Sequence, residues 1–341
     1  MPPLAGEDRL LHWLRTRLDG SLIGDDAAVL PAGGPFAVTM DSQIAGVHFQ
    51  PDLDPALIAR RLLAVNLSDL AAMGAQPAYA FLALATPPGF DHRRFFRAFL
   101  AACRRASLRL AGGDLAASPQ TVATLTLMGT KPARSRWVRR SGAAPGHALW
   151  LGGAVGESAA GRLLIERGAR PRSGRTVDLP AGPLAAAPAV LRTAARRAVR
   201  RHVLPTPQLD LGSWLGRQRE GAAIDVSDGV ARDLHRLCRE SSAGTKIGAA
   251  IGADHLPFSA RFHDLCAVLG ADPLALALGG GEDYVLLFTL PSGIVPPGSF
   301  ACRKIGSITR TPTITLEQGG AVRRLPAMGW DHLEKQVAPA F

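Results

Sequence analysis

The chain has 341 residues, of which 47% are hydrophobic and 20% are charged. At roughly 100 to 200 residues per domain, this length predicts two domains with sizeable cores, and the composition excludes a wholly disordered chain. Apolar runs are broken by Asp, Gly or Pro well before the ~18 residues that a membrane span needs, and the acidic N-terminus is unlike a secretory signal. We therefore expect a cytoplasmic protein with no membrane partner.

Charge and cysteine usage restrict the partners further. The net charge of +11 would suit an anionic partner, but eight arginines and one acid lie in residues 169–201 alone, which is typical of a solvated surface helix and loop. With few aromatic residues near this stretch to stack on bases, we expect no nucleic-acid partner. The four cysteines lack zinc-site spacing and are predicted to be reduced core thiols: Cys103, Cys238, Cys266 and Cys302.

Glycine and proline divide the sequence into short strand-like and longer helix-like pieces, which is typical of an α/β or α+β protein. The predicted strands are, in chain order, Phe36–Met40, Tyr79–Ala85, Thr121–Met128, Ala148–Gly152, Ala222–Val226 and Tyr284–Thr289. Helices are predicted near residues 55–73, 91–106, 157–168, 184–201 and 229–241. The turn-rich segment Arg139–Gly146 predicts a domain boundary, which divides the chain into residues 1–140 and 141–341.

Carboxylates recur in apolar segments, where an ordinary core or surface would not place them. Asp25 and Asp26 are adjacent acids in GDDAAVL, and a capping role accounts for only one of them. Asp41 ends an apolar strand, where a ligand contact and a turn aspartate are equally good interpretations.

Asp69, within the helical segment LLAVNLSDL, is the clearest case. At 100° per residue it falls in the apolar stripe formed by Ile58, Leu62 and Val65, so its carboxylate is predicted to point toward the packed side of the helix. A buried anion must meet a metal ion, an arginine or a hydrogen-bond network, because leaving it unpaired costs several kcal/mol. The alternative is an aspartate satisfied by backbone amides.

Three glycine-containing motifs add further acids. In LAGGD, paired glycines would let a phosphate approach the backbone while Asp114 holds a cation, although GGD alone is more often a turn. In AIDVSDG, Asp225 lies within an apolar strand, and Ser227 or Asp228 could cap the following helix. In GGGEDY, two acids precede a strand, and Asp283 is interpreted as part of a tight turn.

Several acids without Cys or His at ligand spacing favour a hard cation such as Mg²⁺, which typically lies between carboxylates and substrate phosphates. This combination indicates phosphoryl transfer, in which positioning and charge neutralisation supply most of the catalysis. The sequence contains no GxxxxGK[ST], GxGxxG, HExxH or GxSxG motif, so P-loop, dinucleotide-binding, zincin and serine-hydrolase chemistry are not favoured.

Eight motifs run in the same order as in the thiamine-monophosphate kinases, and the sequence resembles that family from about residue 20 to residue 333. The motifs are GDDAAVL, TMDSQIAGVHF, LLAVNLSDLAAMGAQP, GGD, RSGAAPG, IDVSDG, GGGEDY and GWDH. The superfamily also contains aminoimidazole ribonucleotide synthetase and selenophosphate synthetase.

The resemblance implies ATP-dependent, Mg²⁺-assisted phosphorylation of thiamine monophosphate to thiamine diphosphate by direct in-line transfer. It implies an N-terminal α/β domain, residues 1–140, that binds ATP and Mg²⁺ and whose sheet pairs with that of a second subunit to form a barrel. A C-terminal α/β domain, residues 141–341, would complete the active cleft. The implied partners are thiamine monophosphate, ATP and a second copy of the chain.

The resemblance also implies roles for individual residues. The expected magnesium ligands are Asp26, Thr39, Asp41, Asp69, Asp114, Asp225 and Asp228. The expected nucleotide contacts are Gly113, Asp114, Arg140 and Ser227, and the expected substrate contacts are His48, Glu282 and Trp330. Of these, the expected catalytic residues are Asp69, Asp114, Arg140 and Asp225. A backbone-bonded core histidine remains an alternative for His48, and core packing remains one for Trp330.

The sequence departs from the family's pattern at Met40, Leu115 and Gln208, where Ser or Thr, Thr, and Arg are usual. All seven expected metal positions keep oxygen donors, so we expect activity to survive. Two alternatives stay open: another ATP-using synthetase of the same superfamily, and a catalytically weakened nucleotide-binding paralogue, which Met40 and Leu115 would favour.

Overall fold

The computed structural model describes residues 28–30, 34–172, 176–242 and 244–331, which form two large β-sheets with helices packed around them. The first part of the chain contains, in order, β1 (Ala28–Leu30), β2 (Phe36–Ile44), α1 (Pro55–Ala72), β3 (Gln76–Thr86), α2 (His92–Arg105), β4 (Arg109–Ala117) and β5 (Val122–Thr130). Its five strands form one sheet in the order β1-β2-β5-β3-β4. Strands β3 and β4 are parallel and are connected through α2, whereas the other neighbours are antiparallel.

The second part of the chain forms a seven-stranded sheet and most of the helices. Its elements are β6 (Ala148–Leu151), α3 (Glu157–Glu166), β7 (Arg170–Pro171), β8 (Val177–Asp178), α4 (Pro183–Ala186), α5 (Ala189–Val203), α6 (Leu209–Gly216), β9 (Ala223–Asp225), α7 (Val230–Glu240), β10 (Gly248–Gly252), α8 (Phe262–Leu269), α9 (Pro273–Gly279), β11 (Leu286–Leu290), β12 (Arg303–Thr309), β13 (Ile314–Gln318) and β14 (Ala321–Arg324). The strand order is β14-β13-β10-β12-β6-β11-β9, and β7 pairs with β8 separately. No strand crosses the predicted boundary at Arg139–Gly146, although that boundary itself stays a prediction.

Helix α1 lies between the two sheets. Its start is fixed by Asp54, whose side chain accepts a hydrogen bond from the Ala56 amide at 2.8 Å, and by a proline in the first helical position. Leucines such as Leu57 and Leu62 bury one face in the core of the five-stranded sheet. At the other end, Ala71 and its neighbour belong to a cluster with β9 and β11. The helix thereby joins the cores of both parts.

The contact between α1 and α6 is unusually close. A Cβ atom built on Gly212 of α6 would lie 2.0 Å from the carbonyl oxygen of Ala71, so only glycine fits between these two backbones.

The five-stranded sheet has two different faces. The inner face packs on α1 and α2 through buried residues such as Leu82, Leu125 and Leu127. On the outer face, Met40 is 65% exposed and Phe81 is 41% exposed, and within the described residues no helix covers them. Because successive residues of a strand alternate between faces, each of these strands contributes to both surfaces.

The mixed α/β class is confirmed, and the predicted strands and helices all occur with small differences at their ends. The helix predicted over 184–201 is wrong in one respect: it consists of α4 and α5, because Pro188 lacks an amide hydrogen and begins a new helix. The GGD motif lies within strand β4 rather than in a turn. Three cysteines are buried free thiols, as predicted, while Cys302 is only partly buried.

Among the described residues, no helix by itself has the length and hydrophobicity to cross a membrane. Helices α8 and α9 reach that length and composition only together, as a pair bent by 102°.

Candidate active site

A buried row of polar side chains joins β2 to α1. Thr39, Asp41 and Gln43 alternate with outer-face residues, so all three are on the inner face of the sheet. The amide of Asp41 donates to the Asn66 side chain at 3.0 Å, and Gln43 accepts from the guanidinium of Arg61 at 2.8 Å. Such polar contacts inside a hydrophobic layer are costly unless every group is bonded, so their presence indicates a purpose beyond packing.

Asp69 is at the end of this row. Its Oδ2 accepts a hydrogen bond from the Thr39 hydroxyl at 2.5 Å, and its side chain is partly rather than fully buried. The predicted orientation toward the packed side of α1 is thereby confirmed. Two expected metal positions, Thr39 and Asp69, are in direct contact.

Gly113 and Asp114 lie on edge strand β4. In the parallel register Asp114 pairs with Ala83, and both are exposed, whereas the neighbouring residues Leu82 and Leu84 of β3 are buried. Asp114 is therefore on the outer face of the sheet, opposite to Thr39 and Asp41. Within one chain, the sheet separates Asp114 from the polar row on its inner face.

The IDVSDG segment follows the buried strand β9, where Asp225 is 3% exposed. Helix α7 is not capped by Ser227 or Asp228: Oδ2 of Asp233, inside its first turn, accepts from the amides of Asp228 and Gly229 at 3.1 and 3.2 Å. Burial, followed by the charge of Asp228, raises the pKa of Asp233 to about 7. The Asp228 carboxylate also forms an ion pair with the buried guanidinium of Arg236.

Arg140 and Trp330 lie near opposite ends of α7. The carbonyl of Arg140 accepts a hydrogen bond from the hydroxyl of Ser241, just after the end of α7, at 2.9 Å, and the charge of Arg140 makes a small contribution that lowers the pKa of Asp233. The amide of Trp330 donates to the carbonyl of Asp228 at 3.0 Å, and the indole side chain is half-buried. The structure therefore brings Asp228 and Trp330 together at the start of α7, whereas the backbone of Arg140 lies beside the end of that helix.

The GGGEDY loop has an irregular backbone that fixes two side chains. Glu282 and Tyr284 have φ angles of +57° and +51°, which non-glycine residues rarely adopt, and their amides donate to the carbonyls of Ser227 and Val226. Asp283 between them is buried and accepts from the amides of Gly156 and Ser158, at 2.7 and 3.2 Å. The structural interpretation of Asp283 is thus confirmed.

A cleft of about 190 Å³ contains two of the expected substrate contacts, His48 and Glu282. Its walls come from residues 46–53, from α1 and α3, from the β7 segment and from the end of α5. His48 also accepts a hydrogen bond from the amide of Ile44 through Nδ1 at 3.1 Å, so both interpretations of this histidine are compatible with the structure.

The buried hydroxyl of Tyr284 is influenced by charges from both parts of the chain. Burial raises the pKa of this hydroxyl well above the usual value, and the carboxylates of Glu282, Asp41 and Asp225 raise it further. Three of the expected site residues are therefore within electrostatic range of Tyr284. Among the described residues, no group of three or more His, Cys, Asp or Glu side chains is close enough to hold a metal ion unaided. Asp26 lies outside the described residues.

Sequence reasoning missed several residues that hold the site together. Arg61, Asn66 and His202 are buried and contact expected site residues, yet none was predicted to belong to the site. The signal for Arg61 was present, because it lies four residues before Val65 on the apolar stripe that led to Asp69. His202 offered no comparable signal, since its role depends on contacts distant in sequence.

Comparison with protein families first shows the class of domain that the N-terminal part of the chain forms. Residues 24–131 match the family model of the AIR synthase related protein, N-terminal domain. This match covers β1 to β5, the part of the chain that contains the polar row.

The particular family follows from longer alignments. Thiamine-monophosphate kinase of Escherichia coli (strain K12) is 37% identical over 282 residues, covering 81% of this chain and 78% of the relative. The chain belongs to the thiamine-monophosphate kinase family. The solved structure of AaThiL complexed with AMPPCP and TMP has a TM-score of 0.79 at 26% identity, covering 97% of this chain and all of that one. Thiamine-monophosphate kinase from Stenotrophomonas maltophilia K279a has a TM-score of 0.68 at 30% identity, covering 94% and 98%.

Proposed function

We propose that this chain transfers the γ-phosphoryl group of ATP to thiamine monophosphate and forms thiamine diphosphate. A phosphate oxygen of thiamine monophosphate attacks the γ-phosphorus in line, the bond to the β–γ bridging oxygen breaks, and ADP leaves. The observation that supports this most strongly is the position of Glu282. It lines the cleft that also contains His48, so two of the expected substrate contacts share one cavity.

The donor set fits Mg²⁺ as a companion of the nucleotide. We assign its ligands to the oxygen-bearing side chains implied by the family: Asp26, Thr39, Asp41, Asp69, Asp114, Asp225 and Asp228. Mg²⁺ usually takes one or two carboxylates and completes its shell with water and substrate phosphates, so a cluster of three side chains is not required. When bound, the ion neutralises charge on the phosphates of ATP.

The chain's own residues then bind and orient the two substrates. Arg140 is assigned to offset negative charge on the phosphoryl group, and Ser227 and Gly113 are assigned to nucleotide contacts. Trp330 is half-buried and its backbone amide donates to the carbonyl of Asp228, and we assign its ring to the cationic thiazolium, as the family implies. Glu282 is assigned to the aminopyrimidine.

We also infer a homodimer in which the five-stranded sheets of two copies pair through their outer faces. Apolar side chains such as Met40 and Phe81 are exposed on that face, which is costly in a monomer. Asp114 projects from the same face, so in a dimer it could complete a site together with the partner sheet. The four free cysteines are consistent with a reducing compartment, and we infer the cytoplasm.

Incubation of the purified protein with ATP, Mg²⁺ and thiamine monophosphate tests this function directly. We expect thiamine diphosphate and ADP in equal amounts, and no product when EDTA replaces Mg²⁺. Unphosphorylated thiamine serves as the control acceptor. Binding of ATP without turnover of any phosphorylated substrate would instead support a weakened nucleotide-binding paralogue, and turnover of another substrate would support a different synthetase of the superfamily.

A further inference from the structure

Arg61 is a completely buried cation that contacts three distant segments of the chain. Its side chain is 1% exposed, although arginine is rarely buried unless all its donors are paired. Nε donates to Gln43 on β2, one terminal nitrogen donates to the carbonyl of His202 at the end of α5, and the other forms an ion pair with Glu282. The planar guanidinium is thereby fixed in one orientation.

Glu282 is correspondingly constrained on both of its carboxylate oxygens. Oε1 accepts from Arg61, and Oε2 lies 3.3 Å from Nδ1 of His202. Burial lowers the pKa of His202 to about 4, so this imidazole is neutral at pH 7 and Arg61 supplies the buried positive charge. The carboxylate side chain remains 25% exposed, and this exposed part lines the cleft.

The backbone at Glu282 adds a reason for such support. Gly281, Glu282 and Tyr284 all have positive φ angles, and two amides of the loop are bonded to the segment after β9. A strained conformation persists only where surrounding contacts over-determine it. The contact with Arg61 attaches this loop to α1, and therefore to the polar row that contains Asp69.

We infer that Arg61 is the positioning residue for substrate selection in the cleft: by orienting Glu282, it makes the cleft select a hydrogen-bond-donating, electron-poor ring such as the aminopyrimidine. This inference rests on the proposed function and adds the residue on which its discrimination depends. Arg61 itself is too deeply buried to reach the substrate. Its effect on the reaction passes through Glu282.

The test compares Arg61→Met, Arg61→Lys and the control Arg60→Met, whose arginine is adjacent on α1 but only partly buried. Arg61→Met should raise the KM for thiamine monophosphate by about 10- to 100-fold, the range expected for a hydrogen bond to a charged group, and leave the KM for ATP within about twofold. Arg61→Lys keeps the charge and should restore most of the loss. Arg60→Met should behave as wild type.

Specificity gives a readout that simple destabilisation would not produce. In oxythiamine monophosphate a keto oxygen replaces the amino group of the pyrimidine. Wild-type enzyme should prefer thiamine monophosphate by its ratio of kcat/KM values, and Arg61→Met should reduce that preference by about tenfold or more. In a Glu282→Gln background, Arg61→Met should add little further loss, because the two residues act as one unit.

Three results would overturn the role of Arg61: equal losses for ATP and thiamine monophosphate, an unchanged preference over the keto analogue, or full additivity with Glu282→Gln. If Arg61→Met does not fold, Gln43→Met tests the same contact, with an expected KM increase of about 3- to 10-fold for thiamine monophosphate alone. A wild-type protein that makes no thiamine diphosphate refutes the proposed function. An active wild type whose variants at Arg61 and Gln43 keep its KM refutes only the present inference.

Discussion

The inner and outer faces of the five-stranded sheet use alternate residues of the same strands for opposite purposes. On the inner face, Thr39, Asp41 and Gln43 bond to polar groups of α1, and the surroundings are buried. On the outer face, Met40 and Phe81 stand exposed. Adjacent positions in a motif such as TMDS therefore belong to different surfaces of the sheet. The effect of a substitution depends on the face that the side chain occupies and not on how close it is in sequence to an expected site residue.

This comparison changes the meaning of one departure from the family's pattern. Met40 lies between two inner-face residues, Thr39 and Asp41, but its own side chain is on the other side of the sheet. It therefore does not replace a side-chain ligand on the inner face. On the inner face, Met40 therefore gives the weakened-paralogue alternative no support.

The largest effect is expected on the inner face, at Asp69. Asp69→Asn should lower the rate of thiamine diphosphate formation by more than about 100-fold, because the amide removes the charge that a cation needs. The amide oxygen can still accept from Thr39, so thermal unfolding should change little. Asp264→Asn, on an exposed part of α8, is the matched control. A rate within a fewfold of wild type would contradict a metal role for Asp69.

On the outer face, Phe81→Asp should dissociate the proposed dimer. A charge placed in a desolvated apolar contact is costly, so the dissociation constant should rise by at least about tenfold, measured by sedimentation or light scattering. Activity should fall with dimer content if Asp114 acts across that interface. Val322→Asp on β14 also replaces an exposed apolar residue but is remote from this face, and it should leave the assembly intact. A wild type that is monomeric at micromolar concentration would refute the dimer.

A smaller effect is expected from His202, whose backbone carbonyl accepts a hydrogen bond from Arg61. This histidine should make the free energy of unfolding depend on pH. Its folded pKa of about 4 is below the usual 6.5, so the unfolded chain binds more protons between these values. Stability is therefore retained near pH 7 and lost as the pH falls, by about 2 kcal/mol at pH 5.

Urea denaturation of wild type and His202→Gln at pH 7 and pH 5 measures this difference, with exposed His263→Gln as the control. The loss of unfolding free energy between pH 7 and pH 5 should be smaller in the His202 variant and unchanged in the His263 variant. If the free energy of unfolding falls by the same amount between pH 7 and pH 5 in all three proteins, His202 is not the buried neutral group described here.

The smallest effect is expected from Met40→Thr, which restores a residue type usual in the family. Because this side chain is on the outer face, kcat/KM for ATP should change by less than about twofold. A gain of tenfold or more would mean that the Met40 side chain affects nucleotide binding from the outer face.

The sequence allowed the fold class and about half of the elements to be predicted, because periodicity and the positions of glycine and proline are local signals. It also allowed Asp69 to be oriented, since one helix determines its direction. It did not reveal that GGD lies in a strand, because short glycine-rich segments fit a turn equally well. Nor did it reveal the group formed by Arg61, His202 and Glu282, whose members are far apart in the chain and meet only through tertiary packing.

The glycine contact between α6 and α1 limits how the molecule can move. Because the backbones at Gly212 and Ala71 are in contact without intervening side chains, we expect this contact between the two parts of the chain to be rigid and not to act as a hinge. Moving α6 away from α1 would lose this close packing. Substrate entry and product exit should then depend on small displacements of the 46–53 loop and the β7 segment, which border the cleft.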